Sequence, residues 1–338
     1  LKTCGKVAAT VAWILMIGES MKYRGLIALI PMAWIAGAFG QTYPQKPVRI
    51  IVPFAAGSAT DIVARLLAQG LSERMKMTFV VDDRPGANGA IAAELTAKAP
   101  PDGYTLMVAT TSSHSQASLM MKGVTYDGLK DFTPIAGIGG VPFVIVVHPS
   151  LPVKNVRELI AFAKARPGQL TYGTPSGTAT ICMETLKLKT GIDLAQVSYK
   201  SSPQAVTELI AGQITSICSD FATAATHIAS GKVRALAMTT DKRSSELPNV
   251  PTLKESVGDF AEIRSWQGLV GPRGVPREIV EALSKEVLAV TAVPDFRTRL
   301  APLGFEVLPL NASQLAAYMA SEFDKWGRLA KAAGIEPQ

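Results

Sequence analysis

The residues of this sequence that could do chemistry are hydroxyls, glycines and single acids placed where a strand gives way to a helix. Val48-Arg49-Ile50-Ile51-Val52 reads as a strand, and Pro53-Phe54-Ala55-Ala56-Gly57 as a turn of small residues. Ser58-Ala59-Thr60-Asp61 then reads as a capping box, a hydroxyl at the N-cap and an acid three residues on. Ile62, Val63, Leu66, Leu67 and Leu71 follow at helical spacing. Such a turn leaves free backbone N–H groups at the helix start, and the helix dipole behind them favours an anion. An ordinary βα turn would carry the same residues, so this stretch alone does not decide for a ligand. The device recurs: Leu170-Thr171-Tyr172-Gly173 runs into Thr174-Pro175-Ser176-Gly177-Thr178 and opens a helix from Ala179 to Lys189. Two further strands end in polar residues, one at Thr110-Thr111-Ser112-Ser113-His114-Ser115 and one at Ser219-Asp220.

Motifs of reactive chemistry are missing. The sequence has no G-x-x-x-x-G-K-[ST], so Thr174–Thr178 is not a nucleotide loop. It has no G-x-S-x-G nucleophile turn, no H-E-x-x-H and no C-x-x-C. Its histidines, His114, His148 and His227, are not spaced as metal ligands, and no metal or cofactor is expected. His148 and His227 read as structural. His114 lies in the Thr/Ser loop, where it could line a cleft, and His114 with Asp220 is the one acid–base pair the sequence offers. Polar loops without a reactive constellation point to binding without turnover, so no enzyme is expected.

Alternating strands and helices argue a mostly parallel sheet, in which ligands lie beyond the carboxyl ends of the strands. Further strands read at 78–81, 104–109, 196–200, 214–218, 233–238 and 305–308. Helices read at 90–99, 155–165, 276–290 and 313–332. Pro142 to Pro149 and Ser265 to Pro272 read as crossings between two α/β lobes, one formed by 41–141 with 267–338 and the other by 142–266. Two lobes with facing helix starts make a cleft that can close on a ligand.

With 338 residues, 48% apolar and 18% charged, the chain can bury a substantial core and has no long disordered run. Without residues 1–40, which carry Lys2, Lys6, Lys22, Arg24 and Glu19, the net charge of +7 falls to +4. No Lys/Arg run resembles a nucleic-acid footprint. Met21-Lys22-Tyr23-Arg24, the apolar run Leu26 to Trp34 and the small residues Ala36-Gly37-Ala38 read as a cleavable export signal. The signal starts at Met21, which makes residues 1–20 a doubtful upstream extension, and export to the periplasm is expected. There Cys182 and Cys218 would meet an oxidising compartment. A disulfide between them and two separate buried thiols are both compatible with the sequence.

From Tyr43 to the C-terminus the sequence resembles the Bug-type substrate-binding proteins, the extracytoplasmic receptors of tripartite tricarboxylate transporters. The resemblance rests on Lys46-Pro47-Val48-Arg49-Ile50-Ile51-Val52-Pro53-Phe54, Asp61-Ile62-Val63-Ala64-Arg65, Arg84-Pro85-Gly86-Ala87, Pro101-Asp102-Gly103-Tyr104-Thr105-Leu106, Gly231-Lys232-Val233-Arg234-Ala235-Leu236-Ala237 and Pro248-Asn249-Val250-Pro251-Thr252, in that order. It implies a two-lobed periplasmic-binding fold of type 2-like α/β architecture, closing over a small carboxylate held by backbone amides, hydroxyls and waters. It also implies delivery to membrane subunits by a monomeric receptor. Carried over by position, the ligand residues are Ala55, Gly57, Ser58, Thr60 and Asp61 in the first loop. Thr111, Ser112, His114, Thr174, Ser176, Gly177, Thr178, Ser219 and Asp220 face them. The sequence departs from the family pattern at Ser58 and Ser201, where glycine is usual, at Ile181, where histidine is frequent, and at Ser219, where aspartate is common. These departures bear on which carboxylate is bound. A periplasmic enzyme and a ligand-presenting sensor partner are the rival readings on the same scaffold.

Overall fold

The computed structural model describes residues 43–337; the export signal and Cys4 lie outside them. Residues Lys46–Gln338 form one compact unit. Its elements, in chain order, begin with β1 (Val48–Val52), α1 (Ala59–Met75), β2 (Phe79–Asp83), α2 (Ala90–Ala97) and β3 (Thr105–Thr110). They continue through β4 (Phe132–Val147), α3 (Val156–Lys164), β5 (Thr171–Thr174), α4 (Gly177–Thr190), β6 (Ala195–Ser198), α5 (Ser202–Ile210) and β7 (Ser216–Asp220). They end with α6 (Phe221–Ala229), β8 (Arg234–Met238), β9 (Arg264–Pro272), α7 (Arg277–Ala292), α8 (Pro294–Leu300), β10 (Glu306–Leu310) and α9 (Ala312–Ala332).

The strands run in the order β2-β1-β3-β9-β4-β7-β5-β6, with β10 and β8 also paired to β4. β1 pairs in parallel with β2 and β3, and β5 pairs in parallel with β6 and β7. Of these, β1 and β3 are buried along their length and carry apolar residues on both faces. Ile50, Ile51 and Val52 are fully buried, as are Leu106 to Ala109. Strand β4 joins the two parts. Residues 132–142 pair with β9, and residues 143–147 pair with β7 and β8.

The switch falls at Phe143, where three chain segments meet on one buried threonine. Thr239 Oγ1 accepts from the Phe143 N–H at 3.0 Å and donates to the Ile263 carbonyl at 2.7 Å. The Thr239 N–H donates to the Phe143 carbonyl, and the Ile263 N–H to the Thr239 carbonyl. A single side chain thus satisfies backbone groups that the change of sheet partner would otherwise leave unpaired.

Three sequence expectations change. The sheet is mixed and not mostly parallel, because β4 runs antiparallel to β7, β8, β9 and β10, and β3 antiparallel to β9. The crossing strand begins at Phe132 and not at Pro142. Pro134, Gly137, Gly139 and Gly140 hid its first half, since they read as breakers. They are there for contact: a Cβ on Gly139 would stand 2.2 Å from the Glu306 carbonyl oxygen, so glycine lets β10 lie close. The Thr/Ser loop after β3 is a π-helical turn, Thr111–Gln116, capped by Thr110 and Ser113. Thr110 and Ser113 fix it locally by bonding each other's backbone, while the Thr111 and Ser115 hydroxyls accept from Trp266.

Cys182, in α4, is disulfide-bonded to Cys218, in β7, with 6.5 Å between Cα atoms. The bond closes a loop of 36 residues in sequence separation, so it removes freedom chiefly from the unfolded chain. Replacing both cysteines with alanine is expected to lower the unfolding free energy by about 2–4 kcal/mol, measured by urea titration. Equal midpoints for the two proteins, with two free thiols in the oxidised wild type, would contradict the bond.

Candidate functional site

The polar groups that the sequence places after its strands converge on one enclosed cavity. It is lined by Phe54, Ser58, Ala59, Thr60, Ser112, Val141, Phe143, Ser176, Ser202, Asp220 and Ser265. Its polar side chains sit mainly in the first turns of helices. Ser58 is the N-cap of α1, its Oγ accepting from the Asp61 N–H at 3.3 Å. Ser176 is the N-cap of α4, its Oγ accepting from the Ala179 N–H at 3.3 Å. Ser202 is the first residue of α5. Asp220 is the N-cap of α6, with Oδ1 accepting from the Thr223 N–H at 2.9 Å. The positive ends of helix dipoles from both parts of the sheet therefore face the same space. No lysine or arginine lines it, and Asp220 is its one titratable side chain. Donors that carry no full charge can hold an anion without a buried ion pair and its desolvation cost.

The cavity volume is about 20 Å³, the room of roughly one water molecule. A dicarboxylate does not fit that space, so the walls must part to admit one. Both walls are buried: Ser58 is 4% exposed and Ser176 5%. Gly177 fixes how closely they approach. A Cβ there would lie 2.6 Å from Gln116 Oε1 and 2.8 Å from Met120 Sδ. Gln116 Oε1 instead accepts from Thr178 Oγ1 at 3.3 Å, a contact between the turn after β3 and the start of α4.

Of the residues expected at the site, Ser58, Thr60, Ser112, Ser176 and Asp220 line the cavity. Ala55, Gly57, Asp61, Thr111, His114, Gly177, Thr178 and Ser219 do not, and Thr174 lines a second, larger groove. Several of these act behind the wall. Asp61 Oδ2 accepts from the Gly57 N–H at 2.8 Å, and Oδ1 pairs with Arg65 Nε at 2.7 Å. The Ser58 N–H donates to the Ala55 carbonyl instead, so the expected capping box is not closed and Asp61 is committed to shaping the loop. Arg65 also pairs with Asp83 at 2.9 Å. Burial, followed by the charge of Asp61, pushes the Asp83 carboxyl up to about 6, against the opposing pull of Arg65. Thr111 Oγ1 accepts from the Trp266 N–H at 2.9 Å, and Ser219 Oγ donates to the Asp220 carbonyl.

His114 is placed differently from the expectation. Its ring packs on Phe132 at 4.3 Å between centroids, with Trp266 and Tyr126 around it. Nδ1 bonds Ser113 Oγ at 2.9 Å. Full burial pushes the imidazole down to about 3, so it is neutral at physiological pH and is a core residue. The pair of His114 with Asp220 is not brought together at the cavity. Phe54, Ala59, Val141, Phe143, Ser202 and Ser265 were not expected there. Only Ser202 had a sequence signal, since Ser201-Ser202-Pro203 opens a helix after a strand as the other loops do. Among the described residues, no group of His, Cys, Asp and Glu could hold a metal ion. No described helix is long and apolar enough to cross a membrane.

This architecture is the two-lobed α/β fold of the periplasmic binding proteins. The chain matches the family model of the tripartite tricarboxylate transporter family receptor over residues 63–335 and belongs to that family. It is similar to the solved structure of R. palustris Rpa4515 with adipate, at 35% identity and a TM-score of 0.85, covering 88% of this chain and 100% of that one. It is likewise similar to the periplasmic binding protein BugD, at 34% identity and a TM-score of 0.84, covering 88% and 100%. MatC from Rhodopseudomonas palustris with bound malate is similar at 28% identity and a TM-score of 0.79, covering 85% and 99%.

The burial of His114 has a measurable consequence. The unfolded histidine takes up a proton near 6.5 and the folded one only near about 3, so the unfolded state binds more protons in between. Stability due to this group is present above pH 6.5 and falls as the pH drops, by up to about 1.4 kcal/mol per pH unit. Unfolding free energies of the wild type and His114→Asn, measured from pH 7 to pH 4, should show the steeper acid loss in the wild type. Parallel profiles would mean that His114 protonates without unfolding.

Proposed function

We propose that this protein is an extracytoplasmic receptor that captures a small dicarboxylate in the cleft between lobe 41–141 with 267–338 and lobe 142–266. It then presents the closed form to the membrane subunits of a tripartite transporter. The observation that carries this reading is the convergence of the α1, α4, α5 and α6 starts on a cavity with no cationic side chain. Adipate and malate, named for two of the similar structures, are both dicarboxylates, which supports the ligand class.

In this reading Ser58, Thr60 and Ser112 on one wall, and Ser176 and Ser202 on the other, donate to the carboxylate together with the N–H groups of the helix starts. Asp220 cannot donate when ionised. It repels a carboxylate brought near it and accepts from a hydroxyl or ammonium on the ligand, which fixes the ligand's direction. Gly57 and Asp61 shape the first loop from behind. Ligand contacts to both walls are possible only when the cleft is closed, so binding energy shifts the population toward the closed form. Export through the leader at 1–40 would bring the receptor to the periplasm, and it would act as a monomer without a cofactor.

Ligand contacts to both walls predict stabilisation by mass action, about 2.7 kcal/mol at a concentration of 100 Kd. A thermal-shift panel of dicarboxylates, tricarboxylates, amino acids and aromatic acids on the mature protein should find at least one acid that raises the midpoint by several degrees. Ser176→Ala should lessen that shift more than it lowers the midpoint of the free protein. A panel in which no acid shifts the midpoint, while one of them is chemically consumed, would replace the receptor reading with an enzyme.

A further inference from the structure

The enclosed cavity lies beyond the ends of the inner strands: Ser58 follows β1, Ser112 follows β3, and Asp220 ends β7. A larger groove of about 730 Å³ lies beyond the ends of the outer strands. Asn88, after β2, lines one side, and Thr174, Ser198, Tyr199 and Lys200, after β5 and β6, line the other. β2 and β6 are the two ends of the strand order. The groove therefore continues the line of the cavity outward, between the same two sets of strand ends.

Gln116 stands where the two spaces meet. It is fully buried, its Oε1 accepts from Thr178, and its Nε2 has no hydrogen-bond partner. Met120, one turn further along the chain, reaches the same point at Gly177 and lines the groove together with Met121. Met120, of the groove lining, and Gln116, with its spare amide donor, thus lie against Gly177, the residue after Ser176 of the cavity lining.

The charges of the groove are few. Lys200 is the one cationic side chain among its lining residues, and no ion pair to it is formed among the described residues. Glu184, on the same wall, is held by Lys187 at 3.0 Å and by the Tyr172 hydroxyl. Glu336 lines the groove at the end of the chain. A second acid group on a ligand would meet a committed carboxylate at Glu184 and an uncommitted ammonium at Lys200.

We propose that the groove is the outer half of the ligand cleft and that Lys200 recognises the distal acid group of an elongated diacid. The proximal carboxylate takes the helix starts of the cavity, the spacer passes Met120 and Met121, and the distal carboxylate pairs with Lys200. This inference rests on the receptor reading above and names its ligand class more narrowly: a diacid with an apolar spacer, selected by length. Opening of the Gln116–Thr178 contact joins the two spaces, and the Gln116 amide then has a ligand oxygen to donate to.

Isothermal titration of the mature protein tests it with succinate, adipate and suberate beside the monoacids hexanoate and octanoate. The wild type should prefer the longer diacids to succinate and to the monoacids. Lys200→Met should weaken adipate and suberate by about tenfold or more, equal to about 1.4 kcal/mol, and the monoacids less than about twofold. Lys200→Arg should retain the diacid preference, and circular dichroism should show both variants folded. Equal losses for diacids and monoacids, no loss for any diacid, or a wild type that binds succinate alone would overturn the outer subsite while leaving the receptor reading in place. A wild type that binds none of the five acids, nor any other acid of the thermal-shift panel, would overturn both.

Discussion

The structure depends on backbone N–H groups that cannot be paired inside their own helices. The first turn of every helix leaves such donors over, and here four helices start at one cavity. Their side-chain caps, Ser58, Ser176 and Asp220, each satisfy one donor, and the rest of each first turn has no partner within its own helix. An anion entering the cavity loses its water, at a cost of several kcal/mol. It is repaid by donors already fixed in place, which lose no freedom on binding. The same logic explains why no lysine or arginine lines the cavity: a buried cation would need its own partner whenever the ligand is absent. Asp220 is the opposite, an acid that caps the start of α6 and that, in the receptor reading, restricts what the ligand can present to it.

The helices can face each other only because the sheet changes partners at Phe143. Thr239 ties that point to Ile263 and to itself, so the chain crosses between the two parts without exposing unpaired backbone. In the receptor reading, motion that opens the cavity passes through this junction, and the closing contact is the one between the turn after β3 and the start of α4. There Gly177 admits Gln116, and Thr178 bonds it. That neutral hydrogen bond is worth about 1 kcal/mol, which in the receptor reading ligand binding can outweigh. The disulfide between Cys182 and Cys218 ties α4, which Ser176 caps, to β7, which Asp220 ends.

What the sequence made legible was local. The strand, small turn and cap at 48–61 and again at 170–178 could be read because strand, N-cap and helix spacing all agree within fifteen residues or so. Ser58, Thr60 and Ser176 lie in that device, while Ser112 and Asp220 come from the polar ends of two further strands and from the family resemblance. The errors came from tertiary contact. Gly137, Gly139 and Gly140 look like a loop and are a strand, since β10 and Phe305 take the side-chain space at Gly137 and Gly139, and Ser265 of β9 takes it at Gly140. His114 sits among hydroxyls in sequence and among Tyr126, Phe132 and Trp266 in space, residues from separate stretches that no spacing rule brings together. Asp61 was taken for a ligand residue because a capping acid and a binding acid look alike in sequence. Its bonds to Gly57 and Arg65 tell them apart. Val141, Phe143 and Ser265 line the cavity from crossing strands whose register the sequence did not fix.

The central claim is that uncharged donors at helix starts bind a carboxylate. Calorimetric titration of the mature protein with adipate, with malate, and with the dimethyl ester of each tests it most directly. The esters keep the carbon skeleton and the carbonyl oxygens and lose the negative charge. Saturable binding of at least one diacid, with no measurable binding of its ester, is the predicted result. An ester that binds as tightly as its acid would contradict the account, because shape and apolar burial would then carry the affinity and the helix starts would not.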